Sequence, residues 1–69
     1  MTQNEAVLDY LNRFHSITAL DAFNVLNIQR LSARIFELRK QGHEIETVYV
    51  SKVNSYGNTA TFARYTLRG

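Results

Sequence analysis

The sequence predicts an α+β fold in which three short helices precede a two-stranded β-hairpin. Three observations carry this. Apolar residues recur at intervals of three and four through residues 1–41, with Thr placed where helices begin. Gly42 then marks a change of composition, after which residues 45–53 and 59–67 are rich in β-branched and aromatic side chains. Between those runs lies Asn54-Ser55-Tyr56-Gly57-Asn58, a turn-forming cluster. At 69 residues the chain has room for a single domain over 1–69 with one modest core.

The first helix is expected over about 3–14. Thr2 and Glu5 form a capping box, in which each side chain satisfies the other residue's backbone N–H. Val7, Leu11 and Phe14 come next at helical spacing, and Asp9 and Arg13 are set to pair across one turn on the wet side. The second helix, about 19–26, repeats the device with Thr18 and Asp21. Ile17 is placed as a hydrophobic staple, and Leu20, Phe23 or Ala22, and Leu26 form the apolar side. Asn27 suits either a left-handed turn residue or a cap for the third helix. That helix is expected over about 28–41, with Ile28, Leu31, Ile35 and Leu38 inward. Gly42 ends it, with Arg39 and Lys40 in the last turn where the helix dipole favours cations.

The hairpin strands are expected at about 45–53 and 59–67, with Ile45, Tyr65 and Leu67 covering the open side of the helices. Their alternation is imperfect, since Ile45 and Tyr49 share one face and Val48 and Val50 the other. That predicts a bulge or a partly covered outer face.

Composition excludes several functions. Hydrophobic residues make up 45% and charged residues 20%, too apolar and too weakly charged for disorder. With no cysteine there is no disulfide scaffold, thiolate metal site or cysteine nucleophile. His15 and His43 lie apart beside helix ends and read as structural, so no metal or cofactor is expected. No nucleophile–base pair or paired carboxylates can be assembled, which argues against an enzyme. No apolar run exceeds three residues and the N-terminus lacks a signal-peptide pattern, so no membrane partner and a cytoplasmic location are expected.

Charge is unevenly spread. Residues 1–27 hold one base (Arg13) and three acids (Glu5, Asp9, Asp21), whereas residues 28–69 hold seven bases and three acids. Arg30, Arg34, Arg39 and Lys40 stand against Glu37 alone within the third helix. A basic stretch of this kind points towards nucleic acid, against the alternative of a solvated helix face. The arc opposite the buried one holds Gln29, Arg30, Ala33, Glu37 and Lys40, with Arg34 and Arg39 flanking the buried side. Arg can read guanine with two hydrogen bonds and Gln can read adenine. Ala33 is small enough to let the backbone approach bases or touch a thymine methyl group. Arg39 is also placed as a surface partner for Asp9 or Glu44, and Phe36 is expected half-buried against the hairpin or else free for an interaction.

Ser16–Ala22 continuing through Leu26-Asn27-Ile28 resembles the first half of a helix-turn-helix, with Asn27 where many such proteins have Gly. Arg34–Ile45 is similar to the end of the recognition helix and the entry to the wing in small winged helix-turn-helix proteins. Tyr65-Thr66-Leu67 matches the returning wing strand. The resemblance covers nearly the whole chain and is nearest to the short stand-alone forms of bacteriophages and prophages. Only two residues separate Ile28 from Leu31, fewer than in many helix-turn-helix proteins, and Gln29, Arg30 and Ser32 are alternatives for the groove-facing start of the helix.

The resemblance implies sequence-specific binding of double-stranded DNA in a bacterial host cell. The role would be transcriptional control, as by a repressor, or bending of DNA during excision. It makes Thr18, Gln29, Arg30, Ala33, Arg34, Glu37 and Lys40 candidates for contact around the third helix. Lys52, Asn54, Tyr56 and Asn58 on the wing are candidates for phosphates or the minor groove, against an ordinary polar turn. A weak homodimer or a cooperative oligomer on DNA is the expected assembly. A winged helix acting only as a protein-interaction module is the alternative.

Overall fold

The computed structural model describes residues 1–68. The elements are α1 (Gln3–Phe14), β1 (Ser16–Thr18), α2 (Ala19–Leu26), α3 (Leu31–Lys40), β2 (Ile45–Val53) and β3 (Thr59–Leu67). The strands form one antiparallel sheet in the order β1-β3-β2. A third strand therefore joins the expected hairpin.

Both Thr residues cap as their spacing requires. The Thr2 hydroxyl accepts from the Glu5 N–H and the Glu5 carboxylate from the Thr2 N–H, each at 3.1 Å. The Thr2 backbone bond first, and its hydroxyl second, hold the Glu5 carboxyl below its ordinary pKa. Thr18 and Asp21 repeat the exchange, again at 3.1 Å. Ile17 and Ala22, the two positions of a staple around Thr18, are both completely buried.

His15 ends α1 in the left-handed conformation (φ 70°), its N–H donating to the Leu11 carbonyl. Its own carbonyl accepts from the Leu67 N–H at 2.9 Å, which sets the next three residues beside β3 as β1.

The third helix begins at Leu31 rather than Ile28. Asn27 ends α2 in the left-handed conformation (φ 56°), and the Ile28 N–H donates to the Ala22 carbonyl at 2.9 Å. The Asn27 N–H also donates to the Phe23 carbonyl at 3.2 Å, the simple left-handed closure of a helix, and the residue after it turns inward. Ile28 is 2% exposed and so occupies that position; it belongs to the turn, not to α3. At the other end Gly42 (φ 102°) stops α3 with a Schellman closure, the His43 N–H donating to the Leu38 carbonyl and the Gly42 N–H to the Arg39 carbonyl.

Every fully buried side chain among the described residues is aliphatic: Val7, Leu11, Ile17, Ala22, Ile28, Leu31, Ile35, Leu38 and Ile45. The sheet closes this core with the face that carries Ile17, Ile45, Tyr65 and Leu67. On α2 the expected apolar side is corrected. Ala22 faces the core and Leu26 packs against it, while Leu20 and Phe23 are exposed, because so small a core accepts only one narrow stripe of an eight-residue helix.

The hairpin register runs without interruption from Ile45↔Leu67 to Val53↔Thr59, so the expected bulge is absent. The other branch of the expectation fits, since Val48 and Val50, on the face away from Ile45, are half-buried while Tyr49 is exposed. Only the inner half of the hairpin meets the helices, and residues 51–62 are exposed throughout. The molecule is accordingly elongated, 40 × 23 × 20 Å.

Arg39 is the main polar link between α3 and the sheet. Its Nε and Nη2 donate to the Ile45 carbonyl at 2.9 and 2.7 Å, and Nη2 also donates to Thr47 Oγ1 at 2.8 Å. It does not pair with Asp9 or Glu44; Asp9 pairs with Arg13 at 3.1 Å. Replacing Arg39 with Ala should destabilise the fold by about 1–2 kcal/mol, since it removes charge-assisted bonds to a main-chain carbonyl. Thermal melting reads this directly. An unshifted midpoint would show that water replaces the guanidinium without loss.

Candidate nucleic-acid interface

The solvent side of α3 is built by the same periodicity that buries Leu31, Ile35 and Leu38. Phe36 stands on it, 61% exposed, and does not pack half-buried against the wing. Leu31, Ile35 and Leu38 fix the helix phase and turn Phe36 outward. One turn on, the Lys40 ammonium lies 5.1 Å from the centre of its ring, a cation–π contact. Ala33 is half-buried, and Arg34 pairs with Glu37 at 2.6 Å. Arg34 also donates to Gln3 Oε1 at 3.4 Å, tying it towards α1. Arg34 and Glu37 thus satisfy one another in the free protein, and either would have to leave that pair to read a base.

Gln29 and Arg30 are exposed and lie just before α3, not within it. Arg30 is the N-cap residue, and no side chain caps the helix there. The first N–H groups of α3 therefore lack a side-chain acceptor, and a helix start of that kind favours anions. Both residues border two concavities. One, about 320 Å³, separates this junction from Phe62, Ala63 and Tyr65 of β3; the other lies towards Gln3 and Arg34. Ser32, the third alternative for this region, lines the first of these and is exposed.

Thr18 lies elsewhere. Its hydroxyl is engaged in the α2 cap, and with Asp21 it borders a third concavity that includes Val50, Lys52, Phe62 and Arg64. Arg64, directly opposite Thr18 in the sheet, is an exposed cation that side-chain patterning does not single out. The signal that could have found it is strand register, because pairing Val50 with Phe62 places Arg64 and Lys52 on one face of the sheet.

At the far end of the wing the Asn54 side chain is occupied in shaping the loop. Its Oδ1 accepts from the Tyr56 N–H at 2.9 Å and the Asn58 N–H at 3.1 Å, and Gly57 turns the chain with φ 81°. Tyr56 is 89% exposed and touches no core residue. Nine-residue strands put this loop at roughly 30 Å from the base of the hairpin. The residues are thus gathered in three places, one of them the concavity bordered by Thr18 and Lys52. Gln29, Arg30, Ala33, Arg34, Glu37 and Lys40 surround α3, while Asn54, Tyr56 and Asn58 stand apart at the wing tip.

Arg30, Lys40, Lys52 and Arg64 form no ion pair among the described residues. All four are exposed, which is the arrangement that can neutralise phosphates.

A family model described as a winged helix-turn-helix domain matches residues 2–69. No curated protein and no solved structure matches the chain.

Proposed function

Because the chain belongs to the winged helix-turn-helix domain family, a fold that implies DNA binding, we propose that it is a sequence-specific binder of double-stranded DNA. Such domains are generally non-enzymatic DNA-binding modules. The role we assign is that of a phage-type transcriptional regulator, as a repressor, or an excisionase-like architectural factor working in the cytoplasm of a bacterial host. In the described residues no helix is long and apolar enough to cross a membrane.

The observation that carries this reading is the surface of α3 and its approach. Arg30 and Lys40 bracket the exposed side of a helix whose first turn has no side-chain cap, and neither cation is held in an ion pair among the described residues. In this reading α3 enters the major groove, with Gln29, Arg30 and Ala33 nearest to base edges. Arg34, Lys40 and Thr18 lie along the flanking phosphates, and Glu37, which phosphates would repel, accepts from a base amino group such as that of cytosine. The wing, through Lys52, Asn54, Tyr56 and Asn58, tracks the backbone or the neighbouring minor groove.

A module this small makes few phosphate contacts, and non-specific binding alone gives dissociation constants of about 10⁻⁴–10⁻⁶ M. Useful occupancy therefore calls for two or more copies on DNA, either as a weak dimer or by cooperative binding. Selection from a random DNA pool, with a salt titration on the enriched sequence, tests the reading. Enrichment of one motif and a steep fall of affinity with salt are expected.

Replacing Lys52 and Tyr56 together with Ala should leave folding intact, since both are exposed. Affinity should fall similarly for the selected site and for random DNA. Unchanged affinity at low salt would remove the wing from the mechanism.

A protein-docking role has one observation in its favour: Leu20, Phe23 and Val25 of α2 are all at least half exposed. A selection that enriches no DNA motif would favour it.

A further inference from the structure

The sheet order leaves β2 at an edge, unpaired along its outer side. Within β2 the even-numbered residues turn their main-chain groups towards β3. At one end the Arg68 N–H donates to the Glu44 carbonyl, and at the other the Asn54 N–H donates to the Asn58 carbonyl. Antiparallel pairing alternates these directions. Thr47, Tyr49, Ser51 and Val53 consequently aim their N–H and C=O groups away from the sheet. Ile45 does so too, but Arg39 already occupies its carbonyl.

Natural edge strands are usually blunted by proline, a bulge, inward charges or a covering element. β2 has neither proline nor bulge. It carries two charges of opposite sign, Glu46 and Lys52. They lie symmetrically about Tyr49, three residues to either side. We propose that β2 pairs antiparallel with β2 of a second copy of this chain, with the two-fold axis passing between the two Tyr49 residues. Tyr49 then faces Tyr49, Thr47 faces Ser51, and Val48 faces Val50. Glu46 of each copy faces Lys52 of the other. The pairs Tyr49–Tyr49 and Thr47–Ser51, with its symmetry mate, exchange about six main-chain hydrogen bonds.

Two features select this register. No other antiparallel register places Glu46 opposite Lys52. And in this one Val53, the last residue of the incoming strand, arrives opposite Ile45, where the Arg39 guanidinium stands. Sliding the second strand further would drive it across Arg39, and sliding it back would leave both charges opposite uncharged residues. A two-fold axis normal to the sheet keeps both helical cores on the same face of a six-stranded sheet. The two Tyr49 side chains, each 74% exposed in the single chain, lie side by side there.

This interface supplies a surface for the self-association in the function proposed above, but it rests on the geometry of β2 and not on DNA. Sedimentation equilibrium of the full chain without DNA, with circular dichroism as a check on folding, tests it. The wild-type chain should show a concentration-dependent dimer. Lys52→Glu or Glu46→Lys alone sets like charges face to face twice and should weaken the dimer about tenfold or more. The double exchange should restore it. Tyr49→Pro removes an N–H that no group within the fold accepts, so it should abolish the dimer and leave the dichroism spectrum unchanged.

A wild-type chain that remains monomeric at millimolar concentration overturns the proposal. So does a dimer indifferent to Tyr49→Pro, or a double exchange that fails to restore what the single ones lose. DNA binding is measured separately on the same samples. A strict monomer that selects a DNA motif defeats the interface alone, and a dimer that selects none defeats the DNA reading alone.

Discussion

Truncating Ile35 to Ala leaves the chain largely unfolded. Ile35 is 1% exposed at the centre of an all-aliphatic cluster, between Leu31 and Leu38 on the inward stripe of α3. Losing its buried methyl and methylene groups costs about 2–5 kcal/mol, depending on how far the neighbours close the cavity. A domain of this length has little more than that in total, with no cysteine to form a disulfide and, among the described residues, no cluster of three or more metal-ligating side chains. The far-ultraviolet dichroism of the variant at 25 °C should be that of a mostly unfolded chain, and its melting transition should be lost. A normal melting curve would mean that the phase of α3 is wrong, and with it the assignment of Phe36 and Lys40 to the solvent side.

The second large effect is on binding. Arg30→Ala should weaken affinity for the selected DNA site by about 1–3 kcal/mol, roughly 5- to 150-fold. The side chain is exposed, forms no ion pair among the described residues, and leads into a helix start that no side chain caps. Its removal should leave the melting temperature nearly unchanged, because it contributes nothing to the core. The comparison that matters is with random DNA. A larger loss on the selected site marks a base contact, while equal losses on both mean that Arg30 contacts only phosphate.

How far the sequence discloses these features depends on the range of the interactions behind them. The capping boxes at Thr2–Glu5 and Thr18–Asp21 join residues three apart, so their spacing is sufficient. The inward stripe of α3 is legible for the same reason. β1 is not, because Ser16-Ile17-Thr18 is too short to show an alternation, and what makes it a strand is Tyr65, far along the chain. The start of α3 is ambiguous in sequence because Ile28 satisfies two patterns at once. It sits at helical spacing from Leu31 and also at the apolar position just past a left-handed helix stop. Only the hydrogen bond to Ala22 decides between them.

In sequence Arg39 looks like a charge in search of a carboxylate. Its acceptors are a main-chain carbonyl and a hydroxyl, and side-chain patterns do not record carbonyls. The imperfect alternation over residues 45–50 fits either a bulge or a partly covered outer face, and only the pairing register, which is unbroken, decides between them. For the candidate site, the residue types on α3 are legible. The partnership of Arg34 with Glu37 and the position of Arg64 beside Lys52 depend on rotamer and register.

The closure at Asn27 bears on how this protein can change over generations. Ile28 is locked by the end of α2 and Leu31 by the core, so Gln29 and Arg30 form a two-residue bridge between fixed abutments. Substitutions on the bridge alter what is presented to a partner without shifting the angle between the helices. Recognition can therefore drift by single steps while the scaffold is preserved. Lineages descended from such a chain would be expected to differ most at these two positions, and to agree at the residues on either side of them.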